Sequence, residues 1–180
     1  MTVQEKLMQA AWPRETHRPK FAAHDIKAQE RVLTYYVKNA LKDHRTAILN
    51  AEAMTEREAE DMTFALKLIL EKSLELVAGL QGQDMATVAR QMADTYERKN
   101  KDYGDSFGET MGLYGVVAGA VRLHDKVQRM QQLMSGHTAE VRDESLADTV
   151  RDLGTYAAMV TCWIEAGRVT ESAGGGAMGL

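Results

Sequence analysis

Cysteine, proline and aromatic residues are all scarce in this chain of 180 residues. The single cysteine, Cys162, can neither close an internal bridge nor begin a Cys-x-x-Cys ligand pair, which excludes a disulfide framework and a cysteine-based zinc fold. A cytoplasmic setting is expected. Both prolines, Pro13 and Pro19, fall in the first nineteen residues, and more than 160 residues follow without another. An all-β fold would want a turn every roughly 8–12 residues, so that class is excluded. Three phenylalanines against eleven methionines favour helices over strands, since unbranched side chains keep their rotamer freedom in a helix. No apolar run approaches the ~18 residues of a membrane span, and Glu5 and Lys6 interrupt the start where a signal peptide would turn apolar. No membrane partner is expected. Strong positive charge is absent as well: the net charge is −4 and the pI about 5.8. Direct nucleic-acid binding is therefore not expected, because its footprint is a domain pI above about 9.

What is present is helical periodicity. The pairs Trp12-Pro13 and Arg18-Pro19 predict an irregular arm over residues 1–23, since a residue before proline disfavours α geometry. From Asp25, a candidate N-cap, Ile26, Leu33, Val37, Leu41 and Ile48 form one stripe. Thr55 and Glu58 make a capping box that opens a second helix through Met62, Leu66, Ile69 and Leu76. The two form a hairpin over 24–82. After Gln81-Gly82-Gln83, Asp84 caps a third helix with Met85, Val88, Ala89, Met92 and Tyr96 on one side. A fourth spans Leu113 to Met134, and a fifth runs from a cap at Asp143 to Ala166 with Gly167 as its stop, after a loop at Ser135-Gly136-His137. The fold class is all-α, a compact bundle of about five helices with the hairpin packed on the other three. Residues 169–180, with Gly174-Gly175-Gly176, read as a flexible tail.

Several motifs are weaker signals of chemistry than they first read. Gly104-Asp105-Ser106-Phe107-Gly108 spells the G-x-S-x-G nucleophile elbow, but that motif needs a strand to deliver the serine and a charged helix end precedes it here. The five histidines show no i, i+4 pair, so a zinc site is not expected. Cys162 among Val160, Trp163 and Ile164 reads as a small buried hydrophobe. Gly115 and Gly119 have the spacing of a close helix contact, which would also let a flat ligand approach the backbone.

Two charged faces are better candidates. Glu144, Asp148 and Asp152 recur at i, i+4 and i+8 and so form a column drifting about 80° around a helix. Such a column is a candidate Mg²⁺ site, with Asp148 and Asp152 as catalytic carboxylates. It is equally the wet face of an amphipathic helix whose stripe is Leu146, Val150, Leu153, Ala157, Val160 and Ile164. Arg122, Asp125, Lys126 and Arg129 cluster on one side of the fourth helix, apart from Leu123, Val127, Met130 and Met134. That face is either a salt-bridge lattice or a holder of phosphate oxygens, and Lys99 and Lys101 add to the same supply of cations.

The run from Glu97 to Phe107 (E-R-K-N-K-D-Y-G-D-S-F), then Gly115-Val116, Val121 to Arg129 (V-R-L-H-D-K-V-Q-R), and Glu144-Ser145 with Asp148-Thr149, Asp152-Leu153 and Tyr156-Ala157 resembles the nucleotide modification associated domain 1 family of phages and prophages. The resemblance covers about residues 84–168, and thus a domain over 83–168 following the hairpin. It implies a small all-helical, nucleotide-handling domain that binds a nucleotide or deoxynucleotide for the synthesis or turnover of modified DNA precursors. By motif, it marks Lys99, Lys101, Asp102, Tyr103 and Ser106, then Arg122, Asp125, Lys126 and Arg129, as substrate-binding, and Glu144, Asp148 and Asp152 as metal-binding. Gly154 departs from the pattern, standing where a better helix former is expected. A looser similarity, to MazG-like all-α nucleoside triphosphate pyrophosphohydrolases, supports a carboxylate-and-helix site, although the strict E-x-x-E and E-x-x-D pairs are missing; the enzymatic form of the reading is a magnesium-dependent phosphate-bond hydrolase. The alternative function is a non-catalytic helical adaptor, or a homodimer formed through exposed apolar stripes, in a nucleotide-modification complex.

Overall fold

Capping residues decide where most of these helices begin, and apolar stripes decide what they bury. The computed structural model describes residues 1–12, 16–50, 53–135 and 145–174, and among them are eight helices and no strand. They are α1 (Val3–Ala11), α2 (Ala23–Asp43), α3 (Arg45–Leu49), α4 (Glu56–Gln81), α5 (Met85–Tyr103), α6 (Ser106–Tyr114), α7 (Val116–Met134) and α8 (Leu146–Gly174). The all-α reading holds, with three short helices beyond the five expected. No described helix is long and apolar enough to cross a membrane. The expected loop at Gly136-His137, the cap at Asp143 and the proposed ligand Glu144 lie outside the described residues, as do residues 175–180 of the expected tail.

The main interface is between α4 and α8, with α7 packed on α8 and on α2, and α1 laid against α5, α4 and α8. Leu66, Ile69, Leu74 and Val77 from α4 meet Val150, Leu153, Ala157 and Val160 from α8 in one core, all at most 1% exposed. Each leucine, isoleucine and valine among them contributes roughly 1.5–3 kcal/mol by leaving water, and Ala157 less. Two glycines let the helices approach. A Cβ on Gly119 would stand 2.3 Å from Val160 Cγ2, between α7 and α8, and one on Gly154 would stand 2.9 Å from Ser73 Cβ, between α8 and α4. Cys162 is half-buried beside this core, and burial pushes its thiol up. It packs against the core as a small hydrophobe but is not fully buried as expected.

Three local differences from the sequence reading have simple causes. Residues 3–11 form α1, inside the segment read as irregular, because Thr2 and Glu5 make a capping box and Val3, Leu7, Ala10 and Ala11 bury one face. Proline constrains its immediate predecessor and not the turns before it. Gly115, at φ +61°, ends the unforeseen α6 at Tyr114 and starts α7 at Val116, three residues into the expected fourth helix, since its positive φ breaks the ladder where an L side chain would resist. α8 continues through Gly167 to Gly174, because glycine permits the left-handed stop without imposing it.

Candidate functional site

The site is built where the first turns of α8 face the second half of α5 and the middle of α7. Ser145 caps α8: its hydroxyl accepts the Asp148 N–H at 3.1 Å and donates to Asp148 Oδ2 at 2.6 Å, and the Ser145 N–H reaches the same carboxylate at 3.3 Å. Arg151 Nη1 holds the other oxygen at 2.9 Å. The Ser145 hydroxyl, helped by its N–H and by Arg151, keeps the Asp148 carboxyl below its usual range despite partial burial. A lowered folded-state value means that the cap stabilises fully above the unfolded carboxylate range and loses its contribution as pH falls through the folded value. Ser145→Ala is therefore expected to cost about 1 kcal/mol at pH 7, with the difference from wild type narrowing below about pH 4 as the carboxylate bonds are lost and the cap bond to the Asp148 N–H remains. Urea titrations at neutral and acid pH measure it; a deficit that is absent at pH 7, or does not shrink in acid, contradicts this role.

Asp152, one turn further along α8, has a different set of partners. Lys126 of α7 meets its Oδ2 at 2.9 Å and Lys99 of α5 meets its Oδ1 at 3.2 Å. Three helices thus converge on one carboxylate. Lys126 is the more enclosed cation, 21% exposed against 60% for Lys99. Around this junction lies an open cleft of about 1200 Å³. Its charged lining is balanced, with Arg98, Lys99, Lys126 and Arg151 against Asp94, Glu97, Asp148 and Asp152. At one end Arg151 Nη2 donates to Gln81 Oε1, and Gln83 Oε1 and Arg151 Nε are buried without a hydrogen-bond partner.

The other end opens into a smaller and more apolar pocket of about 190 Å³ between α5, α6 and α8. Helical spacing builds it: Tyr96, Asn100 and Tyr103 stand at i, i+4 and i+7 on α5, and Asp152, Thr155, Tyr156 and Met159 at i, i+3, i+4 and i+7 on α8. Phe107 from the first turn of α6 closes it, tilted against Tyr156 with ring centroids 5.5 Å apart. Burial and the neighbouring Asp105 push the Tyr96 phenol up, so it stays a proton donor at neutral pH. The cleft and the pocket share Thr95, Lys99, Asp152 and Thr155.

Of the residues marked from sequence, Lys99, Tyr103, Ser106, Lys126, Asp148 and Asp152 line one or both cavities, whereas Lys101, Asp102, Arg122, Asp125 and Arg129 line neither. Ser106 lies in a helix–turn–helix elbow with Gly104 at φ +66° and Asp105 capping α6 through the Gly108 N–H at 3.1 Å, and no strand delivers it. Among the described residues no three carboxylate, histidine or cysteine side chains are grouped to hold a metal ion. A resident Mg²⁺ would have to displace Lys99 and Lys126 from Asp152, and Ser145 and Arg151 from Asp148. The described donor set does not fit such an ion.

Residues 99–163 match the family model of the nucleotide modification associated domain 1. No curated protein and no solved structure matches the chain. The matched residues include Lys99, Lys126, Asp148 and Asp152, and also Asn100, Phe107 and Tyr156, which lie in the quoted motifs without an assigned role, and Arg151, which lies in none of them. Upstream of it, α4 and the first part of α5 supply the rest of the walls, including Gln81, Thr95 and Tyr96. The signal for Thr95 and Tyr96 was available as the repeat along α5 toward Lys99 and Tyr103. Arg151 carried none, because an arginine beside a carboxylate column reads as an ordinary surface pair.

Proposed function

We propose that the cleft and the aromatic pocket together bind one deoxynucleotide, with its base in the pocket and its phosphates on Lys99 and Lys126, for the synthesis or turnover of modified DNA precursors. The observation that carries this reading is the shared wall: an apolar, aromatic pocket opens at Lys99 and Asp152 into a polar cleft with four cations. A volume of about 190 Å³ is less than whole drug-sized ligands need, roughly 300–1,000 Å³, so the pocket suits one planar ring system. Stacking of a base on an aromatic side chain is worth roughly 1–3 kcal/mol. Phosphate oxygens on lysine ammonium groups supply charge-assisted bonds. The match to a nucleotide modification associated domain supports the same ligand class. In this reading Asp152 and Asp148 are positioning residues: Asp152 holds the two lysines in reach, and Asp148 anchors the start of α8 and the Arg151 fork.

Calorimetric titration of the protein with the four deoxynucleoside triphosphates and with inorganic triphosphate tests the proposal. Tyr156→Ala is expected to weaken deoxynucleotide binding about tenfold or more, and to leave inorganic triphosphate binding within about twofold of wild type. Equal loss of both ligands, or no binding of any nucleotide to the wild-type protein, would sink it. Following phosphate and pyrophosphate release in the same samples with added Mg²⁺ reads hydrolysis. Turnover that Asp152→Asn abolishes without loss of binding would make this carboxylate catalytic.

A further inference from the structure

The aromatic pocket contains one amide whose donor and acceptor the fold does not use. Asn100 is half-buried on α5, between Tyr96 one turn before it and Tyr103 nearly one turn after, and its amide makes no hydrogen bond to any described residue. Among its polar neighbours in the pocket, the two threonines and Asp152 are engaged. The Thr155 hydroxyl donates to the Arg151 carbonyl at 2.9 Å, Thr95 Oγ1 accepts from Arg98 at 3.3 Å, and Asp152 holds the two lysines. The Tyr96, Tyr103, Tyr156 and Ser106 hydroxyls make no hydrogen bond to a described residue either, but each is a single group, so Asn100 is the one unpaired side chain of this pocket that holds a donor and an acceptor in fixed relation. Asparagine offers a donor and an acceptor side by side in one plane, which is the pattern that the edge of a nucleobase complements.

We propose that Asn100 reads the edge of the base held in this pocket and is its specificity-determining residue. The inference rests on the nucleotide reading above and adds to it which atoms select the base. The aromatic rings of Phe107 and Tyr156 hold any base by its face, so they tolerate all four. Only an in-plane group discriminates among edges. Changing the amide to a carboxylate replaces the donor–acceptor pair by acceptors alone. Its complement is an edge with two adjacent donors, and guanine, with its ring N1–H and its exocyclic amine, is the only one of the four bases to present it.

The experiment titrates wild type, Asn100→Asp and Asn100→Leu with dATP, dGTP, dCTP, dTTP and inorganic triphosphate, with thermal melts to verify the fold of each variant. Wild type is expected to bind at least one deoxynucleoside triphosphate about tenfold or more tighter than inorganic triphosphate. Asn100→Asp is expected to raise the affinity for dGTP relative to the other three by about tenfold. Asn100→Leu is expected to bring the four nucleotides within about threefold of each other while inorganic triphosphate binding stays as in wild type. Deoxynucleotide binding whose base ratios are unchanged in both variants would overturn the role of Asn100 and leave the nucleotide site standing. Wild-type binding no tighter for any nucleotide than for inorganic triphosphate would overturn both.

Discussion

The double variant Lys99→Ala/Lys126→Ala is expected to lose deoxynucleotide affinity by about a hundredfold or more, and inorganic triphosphate affinity with it. A hydrogen bond to a charged group contributes roughly 1.5–3 kcal/mol, and each 1.4 kcal/mol or so is tenfold in the dissociation constant. Two such contacts together reach a hundredfold. The singles are expected to be unequal. Lys126 is the more enclosed of the two cations, so screening by water and salt weakens its field less, and its loss outweighs that of Lys99. Raising the ionic strength shrinks the Lys99 effect first for the same reason. Calorimetry at two salt concentrations, with circular dichroism melts as the control for folding, measures both. Nucleotide affinity within about threefold of wild type in the double variant would remove the phosphates from this junction.

The second large effect is on stability. Gly154→Leu is expected to destabilise the protein by about 3 kcal/mol, which for a domain of this length lowers Tm by roughly 6–12 °C. The reason lies in the α4–α8 interface. A Cβ at Gly154 would come within 2.9 Å of Ser73 Cβ and 3.1 Å of Met92 Cε. The methionine tip can swing away, but Ser73 Cβ is fixed to the helix backbone, and its hydroxyl is tied to the Ile69 carbonyl at 2.8 Å. The two helices must therefore separate. Gly154→Ala isolates the terms, since alanine gains roughly 1 kcal/mol of helix propensity over glycine yet carries the same first clash. Its expected melting temperature lies between wild type and leucine. A leucine variant that melts within about 2 °C of wild type would show that the interface gives way freely.

Gly154 also illustrates how far sequence reading reaches. As a sequence feature it was a weak spot in a helix and a departure from the family pattern. In the fold it is the residue that lets α4 and α8 touch, and Arg151 and Asp152 lie on the same stretch of helix that this contact seats. The helical stripes were legible for a local reason. Val150, Leu153, Ala157, Val160 and Ile164 repeat with the helix period, and all five are buried. The box Thr55–Glu58 and the cap Asp84 open α4 and α5 as read. Thr2–Glu5 is the same kind of signal, set in a segment that two prolines mark as irregular, and it opens a helix whose Leu7 is fully buried.

The carboxylate column shows what a pattern leaves open. Asp148 and Asp152 are one turn apart on α8 and alike in charge, so periodicity treats them as equivalent. The structure gives them different work: Asp148 turns back to Ser145 within its own helix, and Asp152 reaches across to two other helices. Likewise Lys126 and Arg122, neighbours on one face of α7, part company, and only Lys126 enters the cleft. Helix class, most helix starts and the buried stripes were determined along the chain, because they depend on residues three and four apart. Which charges meet, and that the aromatic pocket opens onto them, depends on pairs such as Lys99 with Asp152, 53 residues apart. Only the packing of α5, α7 and α8 against one another decides that.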